Sequence, residues 1–311
     1  MAEMTINELN AKILGDTERA ILEAERDYHT RVSDIADYVS THEKIRIILL
    51  AGPSGSGKTT SANLIKDAIK SRGEECIVVS LDDFYRDSTD KDYPRREDGE
   101  RDFECPEALH LDEVSRTLMQ IARGEGFALP RYDFKSGRRA SVTKHAPMPH
   151  GCVIIEGLHA LNPKIWSGLD GECVIKIFVS VSTNISDEGD RIISGRKIRF
   201  VRRLVRDSIY RGADAVRTLG MWRHVLAAED VYLYPYKELA DIAFDTFHCF
   251  EMGVMRPYAL NLLTEELAAA DEYVRIVRRA LEKFLPVDEG LVPQSSLIRE
   301  FIPGGIYEQL Y

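Results

Sequence analysis

The sequence predicts an α/β protein whose mostly parallel sheet is flanked by helices, and three features of its 311 residues lead there. Short β-branched runs recur: KIRIILLA (44–51), CIVVSL (76–81), CVIIEG (152–157) and CVIKIFVSV (173–181). Each reads as a strand buried on both faces. Stretches of helical periodicity lie between them, near 112–123 and 197–210, and such alternation gives a parallel sheet. The first run ends in the glycine-rich loop GPSGSGKTT, with a helical pattern beyond it. Ligands of such sheets sit beyond the carboxyl ends of the strands, so the polar residues after each strand are the ones to watch.

The elements follow in order. Residues 5–40 carry Ile6, Leu9, Ile13, Leu14, Ile21 and Leu22 at helical spacing. They predict two helices, broken near Gly15-Asp16, that pack against the main domain. A helix starts in the glycine loop and runs to about Ser71, where Gly73 stops it. The segment RDSTDKDYPRREDGERDF (86–103) is too charged for the core and reads either as a surface loop or as a lid. A last apolar strand follows Asp241, then helices. The tail VPQSSLIREFIPGGIYEQLY carries no assignment.

Composition bounds the function. Apolar residues make up 44% and charged residues 30%, as in ordinary globular proteins. With 41 Lys and Arg against 51 Asp and Glu, the net charge of −10 argues against nucleic acid as the main partner. The N-terminus has no apolar run of signal-peptide length, and no segment approaches the ~20 residues that span a bilayer. Cys76, Cys105, Cys152, Cys173 and Cys249 are scattered without a C-x-x-C pair, which reads as free thiols in a reducing cytosol. The expected location is cytoplasmic, with no membrane partner.

Gly52-x-x-x-x-Gly57-Lys58-Thr59 satisfies the phosphate-loop pattern, with a strand before it and a helix after. Backbone N–H groups turn inward around an anion, and the helix N-terminus adds partial positive charge. Gly52, Ser54, Gly55, Ser56, Gly57, Lys58, Thr59 and Thr60 are therefore expected to hold a nucleotide. Lys58 would reach the β- and γ-phosphates and the Thr59 hydroxyl would ligate Mg²⁺. The loop alone does not separate kinases from GTPases, motors or switches, but it predicts a P-loop NTPase fold.

Asp82 and Asp83 follow the second strand, where a carboxylate could take a proton from an acceptor hydroxyl. Helix capping or a turn is the alternative use of Asp there. Glu156 ends the third strand, either as a Mg²⁺ partner or as an ordinary strand-end acid. Arg199, Arg202, Arg203 and Arg206 fall at i, i+3, i+4 and i+7 on one helical face, opposite Val201, Leu204, Val205 and Ile209, with Arg211 just beyond. A solvated face is one explanation. Like charges so placed repel, so the other is an arginine-bearing lid that phosphates neutralise on closing.

Residues from about Lys44 to Leu263 resemble the uridine kinase/phosphoribulokinase family of P-loop kinases. GPSGSGKTT, SLDDFY, DFECPEAL, LPRYDFKSG, VIIEGLHAL, RFVRRLVRDSIYRG and PYKELAD arrive in the family's order. The segments HCFEMGVMRPYALNLL and VPQSSLIREFIPGG look like the kinase portion of bacterial uridine kinase-like proteins. The resemblance implies an ATP- and Mg²⁺-dependent phosphotransferase with an alcohol acceptor. It divides the chain into a helical N-terminal extension (1–43), a kinase domain with its lid (44–285) and a C-terminal tail (286–311).

By the same resemblance Asp82 is the catalytic base, Asp83 fills the variable position of the motif, and Tyr85 lines the acceptor site. Phe103-Glu104-Cys105-Pro106 stands where the family has Phe-Asp-His-Pro, so Glu104 replaces a ribose-binding carboxylate. Tyr132 matches an acceptor-site tyrosine and Glu156 the metal-associated acid. Arg203 matches an acceptor-contacting arginine, Arg206 and Arg211 match lid arginines, and Asp241 falls near the nucleotide base. Three family positions that hydrogen-bond a pyrimidine nucleoside are Gly137, Ala213 and Met221 here, which speaks against a base-reading pocket.

The expected acceptor is then a uridine- or cytidine-like nucleoside by family default, or else a sugar, polyol or sugar phosphate. A nucleotide-dependent regulator is a further class, though no N-K-x-D guanine signature occurs. A nucleic-acid ATPase conflicts with the charge. The family commonly assembles, so a homo-oligomer is possible.

Overall fold

The computed structural model describes residues 3–133, 136–140 and 144–310. In chain order its elements begin with β1 (Glu3–Thr5), α1 (Ile6–Gly15), α2 (Thr17–Thr41), β2 (Ile47–Ala51), α3 (Lys58–Lys70) and β3 (Glu75–Ser80). Then come α4 (Leu111–Arg123), the short strands β4 (Phe127–Leu129), β5 (Tyr132–Asp133), β6 (Arg138–Arg139) and β7 (Lys144–Ala146), β8 (Gly151–Glu156) and α5 (Pro163–Trp166). The last part holds β9 (Val174–Ser180), β10 (Asn184–Asp187), β11 (Asp190–Ile193), α6 (Gly195–Arg211), α7 (Ala215–Tyr232), β12 (Ile242–Asp245), α8 (Glu251–Leu262), α9 (Glu265–Ala270) and α10 (Glu272–Glu282).

The predicted apolar runs become one parallel sheet in the order β12-β9-β2-β8-β3. Successive side chains point to opposite faces, and here both faces are covered. Ile48, Leu50, Ile154, Ile175 and Ile177 face a core shared with α2, α3, α6, α8 and α10. Ile47, Leu49, Val153, Ile155 and Phe178 face a second core with α4. The register sets Leu50 and Ser80 on either side in contact with Glu156 of β8, so the loops after β2, β3 and β8 open at one edge.

The break between the first two helices falls where the sequence places it. The Asp16 N–H donates to Lys12 O at 3.2 Å, ending α1, and its carboxylate accepts from Arg19 N at 2.9 Å, capping α2. Helix α2 packs on α3: Tyr28 and Ser61 share a 2.7 Å hydroxyl hydrogen bond, and Arg72 Nε donates to Asp37 Oδ1 at 2.7 Å. Three elements lay outside the sequence reading. Strand β1 pairs in parallel with β10, which forms a hairpin with β11. Helix α7 follows α6 after Gly212 at φ 60° and packs against it. The unassigned tail forms a 3₁₀ turn, Leu297–Glu300, and buries Leu297, Ile298, Phe301 and Ile302 in the first core.

No helix among the described residues is long and apolar enough to cross a membrane. The five cysteines are free thiols.

Candidate active site

The phosphate loop owes its shape to three glycines under close approach. A Cβ at Gly52 would lie 2.3 Å from Val179 O, and one at Gly55 (φ 72°) 2.7 Å from Arg199 O. Gly57 adopts φ 84° and leads into α3, and the Leu297 side chain fills the space a Cβ there would take. The first-turn N–H groups of α3 lack intrahelical partners, as an anion site requires. Ser54 faces away from such an anion. Its N–H donates to Glu229 Oε1 at 2.9 Å, its carbonyl accepts from Arg199 Nη1 at 2.8 Å, and its hydroxyl accepts from Arg203 Nη1 at 2.9 Å. Ser54 braces the loop. Ser56 does so too, its carbonyl accepting from Thr246 Oγ1 at 2.8 Å.

The arginine stripe is built differently from the sequence expectation. Arg199 and Arg202 are fully buried, and their neutralising partners come from the chain itself. Arg199 forms a two-pronged pair with Glu229 of α7, both contacts 2.8 Å. Arg202 pairs with Glu251 at the start of α8 and donates to Gly55 O at 3.2 Å and Thr246 O at 2.8 Å. Arg203, Arg206 and Arg211 gather around Asp207, at 3.2, 3.0 and 3.3 Å. Repulsion among the arginines is therefore relieved by Glu229, Glu251 and Asp207 before any phosphate arrives. Arg199 and Arg202 are struts of the phosphate loop. Arg203, Arg206 and Arg211 remain at the cleft, with Arg211 half-exposed.

Asp82 sits in the 3₁₀ turn Leu81–Phe84 that follows β3, its N–H donating to Ser80 Oγ at 3.3 Å. It opens on the cleft, yet the surrounding protein pushes its carboxyl above the usual range, against the pull of Lys58 and Arg211. Glu156, 5% exposed, is pushed up by burial, held back by Lys58 and raised further by Asp82. Burial likewise raises Glu104, with Arg203 opposing and Asp82 adding to the shift. Asp82 feels Lys58 and Arg211, Glu156 feels Lys58 and Asp82, and Glu104 feels Arg203 and Asp82, so these acids and cations lie around Asp82.

The remaining candidates divide. Tyr85 and Tyr132 stand with ring centroids 5.5 Å apart, and the Tyr85 hydroxyl donates to Phe103 O at 2.9 Å. Phe103 offers that carbonyl, while its exposed ring packs 5.1 Å from Tyr93. Asp83 accepts from Tyr132 N at 3.2 Å, so its carboxylate orients the tyrosine strand. Asp241 is not brought to the cleft. It precedes β12, where its carboxylate accepts from Lys176 N at 2.8 Å, whereas the phosphate loop lies by the carboxyl ends of the strands. Among the pyrimidine-contact positions, Gly137 has φ 67°, and a Cβ there would lie 2.6 Å from Ser88 Oγ.

Residues 47–252 match the model of the Phosphoribulokinase / Uridine kinase family. The chain belongs to this family. Among curated relatives, a uridine kinase of Schizosaccharomyces pombe is 33% identical over 190 residues, 61% of this chain and 37% of that protein. A uridine kinase of Lactobacillus helveticus is 30% identical over 227 residues, 72% of this chain and 95% of that one. The chain spans less than two fifths of the length of the fission-yeast relative and of a uridine kinase-like protein from Arabidopsis thaliana. Among solved structures, a D-glycerate 3-kinase from Cryptococcus neoformans overlays with a TM-score of 0.43 at 16% identity, over 64% of this chain and 85% of that one.

Within the family frame, sequence reasoning missed Asp207, Glu229, Glu251 and Glu300. The last two carried a signal: an acid inside an apolar run, FEMGVM and LIREFI, is costly to bury unless paired.

Proposed function

We propose that the protein is an ATP-dependent kinase that passes the γ-phosphoryl group to a hydroxyl of a small molecule. The observation carrying this reading is that Asp82, after β3, and Glu156, ending β8, both stand within the electrostatic reach of Lys58 of the phosphate loop. Backbone N–H groups from Gly55 to Thr60 would cradle the phosphates, with Lys58 on the β- and γ-groups. Asp82 would orient the acceptor hydroxyl and take its proton. A carboxyl raised above its ordinary value is the better base at physiological pH. Arg203, Arg206 and Arg211 would face the charge that develops on transfer.

The Thr59 hydroxyl and the Glu156 carboxylate would hold Mg²⁺. The donor set fits, because Mg²⁺ takes one or two protein oxygens and completes its shell with phosphates and water. Buried Glu156, already raised by Asp82, is a site where a cation relieves acid–acid repulsion. Bound there, the ion would neutralise charge on the nucleotide phosphates.

Glu104, Tyr85, Tyr132 and Phe103 form the acceptor wall in this reading, with Asp83 holding Tyr132 in place. A uridine-like nucleoside is the family default. The crowding at Gly137 favours an acceptor read through its hydroxyls, a sugar, polyol or sugar phosphate, because no side chain can grow there toward a base without displacing Ser88. Residues 1–43 and 286–311 act as packing additions to the kinase domain, and Asp241 is left out of the nucleotide site.

The test is ADP release from Mg²⁺·ATP, screened over nucleosides, pentoses, polyols and sugar phosphates. Lys58→Ala is expected to abolish turnover. Asp82→Asn is expected to lower kcat by about 100-fold or more while nucleotide affinity changes little. Near-normal kcat in Asp82→Asn removes it as the base, and robust uridine turnover removes the preference for a non-nucleoside acceptor.

A further inference from the structure

The tail supplies an acidic side chain that hydrogen-bonds to Thr60 in α3's first turn, and neither the family match nor the phosphate-loop pattern covers it. Glu300 is 5% exposed, locked between fully buried Ile298 and Phe301. Its Oε2 accepts from Thr60 Oγ1 at 2.8 Å and lies 3.4 Å from Thr60 N. Its Oε1 faces Arg206 Nη1 at 3.7 Å. The same turn sets Leu297 against Gly57, at the mouth of the loop.

One carboxylate therefore ties together two groups from distant elements that the kinase reading places on the nucleotide phosphates. Thr60 belongs to the helix that would cradle them, and Arg206 to the helix whose arginines would face them. Arg206 is shared between Asp207 at 3.0 Å and Glu300 at 3.7 Å, so its guanidinium is held between the two acids and not by Asp207 alone. Thr60 is held through a charge-assisted bond, about twice as strong as a neutral one. A buried carboxylate kept so near an anion site is costly unless these partners offset it.

We propose that Glu300 is a positioning residue of the nucleotide site: by holding Thr60 and Arg206 in one geometry, the C-terminal turn sets affinity for the nucleotide's phosphates. This rests on the reading that ATP binds the phosphate loop. The contrary physical possibility is that the carboxylate competes with a phosphate for Thr60, and the two predict opposite signs.

The experiment measures ADP and adenosine binding by calorimetry, and steady-state KM for ATP and for the acceptor, in the full chain and in Glu300→Gln. Glu300→Gln keeps the shape and an acceptor for the Thr60 hydroxyl but loses the charge facing Arg206. ADP affinity is expected to fall about tenfold, the factor carried by one charge-assisted contact. KM for ATP should rise in parallel, while adenosine affinity and the acceptor KM stay unchanged. A purely structural role would move all of these together and overturns the proposal, as does unchanged or tighter ADP binding. Glu300→Asp, which keeps the charge but withdraws it by one methylene, is the second variant and should also weaken ADP. Were the parent chain not to bind ADP at all, the nucleotide reading itself would fall. ADP binding by the parent with unaltered affinity in both variants removes only the role of Glu300.

Discussion

At the scale of single residues the site is a problem in charge. Asp82 and Glu156 are two acids sharing one cation, Lys58, in a cleft that disfavours ionisation. As the proposed base, Asp82 would accept a proton only when ionised, so activity is expected to fall as pH drops through its pKa. Since that pKa is raised above the ordinary value near 3.8, the acid limb of kcat/KM is expected above the usual aspartate range. A pH–rate profile checks this, and an acid limb at or below the ordinary Asp value would remove the base assignment. In the proposed reading, Gly137 bears on acceptor specificity. Gly137→His strains a left-handed backbone and crowds Ser88, so it should fail to create a base-reading pocket and lower stability by about 1–3 kcal/mol, read from urea unfolding.

At the scale of elements, α6 carries the largest departure from expectation. Its arginine face is as buried as its apolar face, because α7, α8 and the phosphate loop close over it. A stripe at i, i+3, i+4 and i+7 was legible from residue order, but the partners of Arg199 and Arg202 stand 30 and 49 residues away in sequence. No local pattern reports such pairings. The consequence is a stability prediction. Arg202→Met leaves Glu251 buried without its partner and removes the brace on Gly55, which should cost about 3–5 kcal/mol in chemical denaturation. The double variant Arg202→Met, Glu251→Leu should recover a large part of that loss, as apolar replacement of a buried pair often does. Recovery of stability without recovery of turnover would separate the strut's packing role from its hold on the phosphate loop.

At the scale of the whole molecule, the extensions at either end converge on α3, the helix that begins at the phosphate loop. Tyr28 of α2 meets Ser61, Glu300 of the tail meets Thr60, and one core takes in residues from Ile6 to Ile302. We therefore expect residues 1–43 and 286–311 to melt together with the kinase domain in a single transition. Phe301→Ala, at a fully buried position, should lower stability by about 3–5 kcal/mol and shift the entire unfolding curve. A separate early transition confined to the ends would show them to be independent units.

Sequence by itself determined the parallel sheet, the phosphate loop and the cleavage of the N-terminal segment into two helices at Gly15-Asp16. These follow from local rules: apolar runs bury on both faces, Gly52-x-x-x-x-Gly57-Lys58-Thr59 needs a strand and a helix around it, and Asp16 caps. Strand-end acids Asp82 and Glu156 were legible for the same reason, since a parallel sheet fixes which end of every strand faces a ligand. Tertiary structure alone decided which charges meet. It took Ser54 and Asp83 as braces, set Asp241 at the far end of β12, and paired Arg199 and Arg202 with buried glutamates. It also brought Glu300, 240 residues away in sequence, onto Thr60. The physical reason is range: backbone conformation answers to neighbours in sequence, whereas a buried charge answers to whichever partner the folded chain delivers.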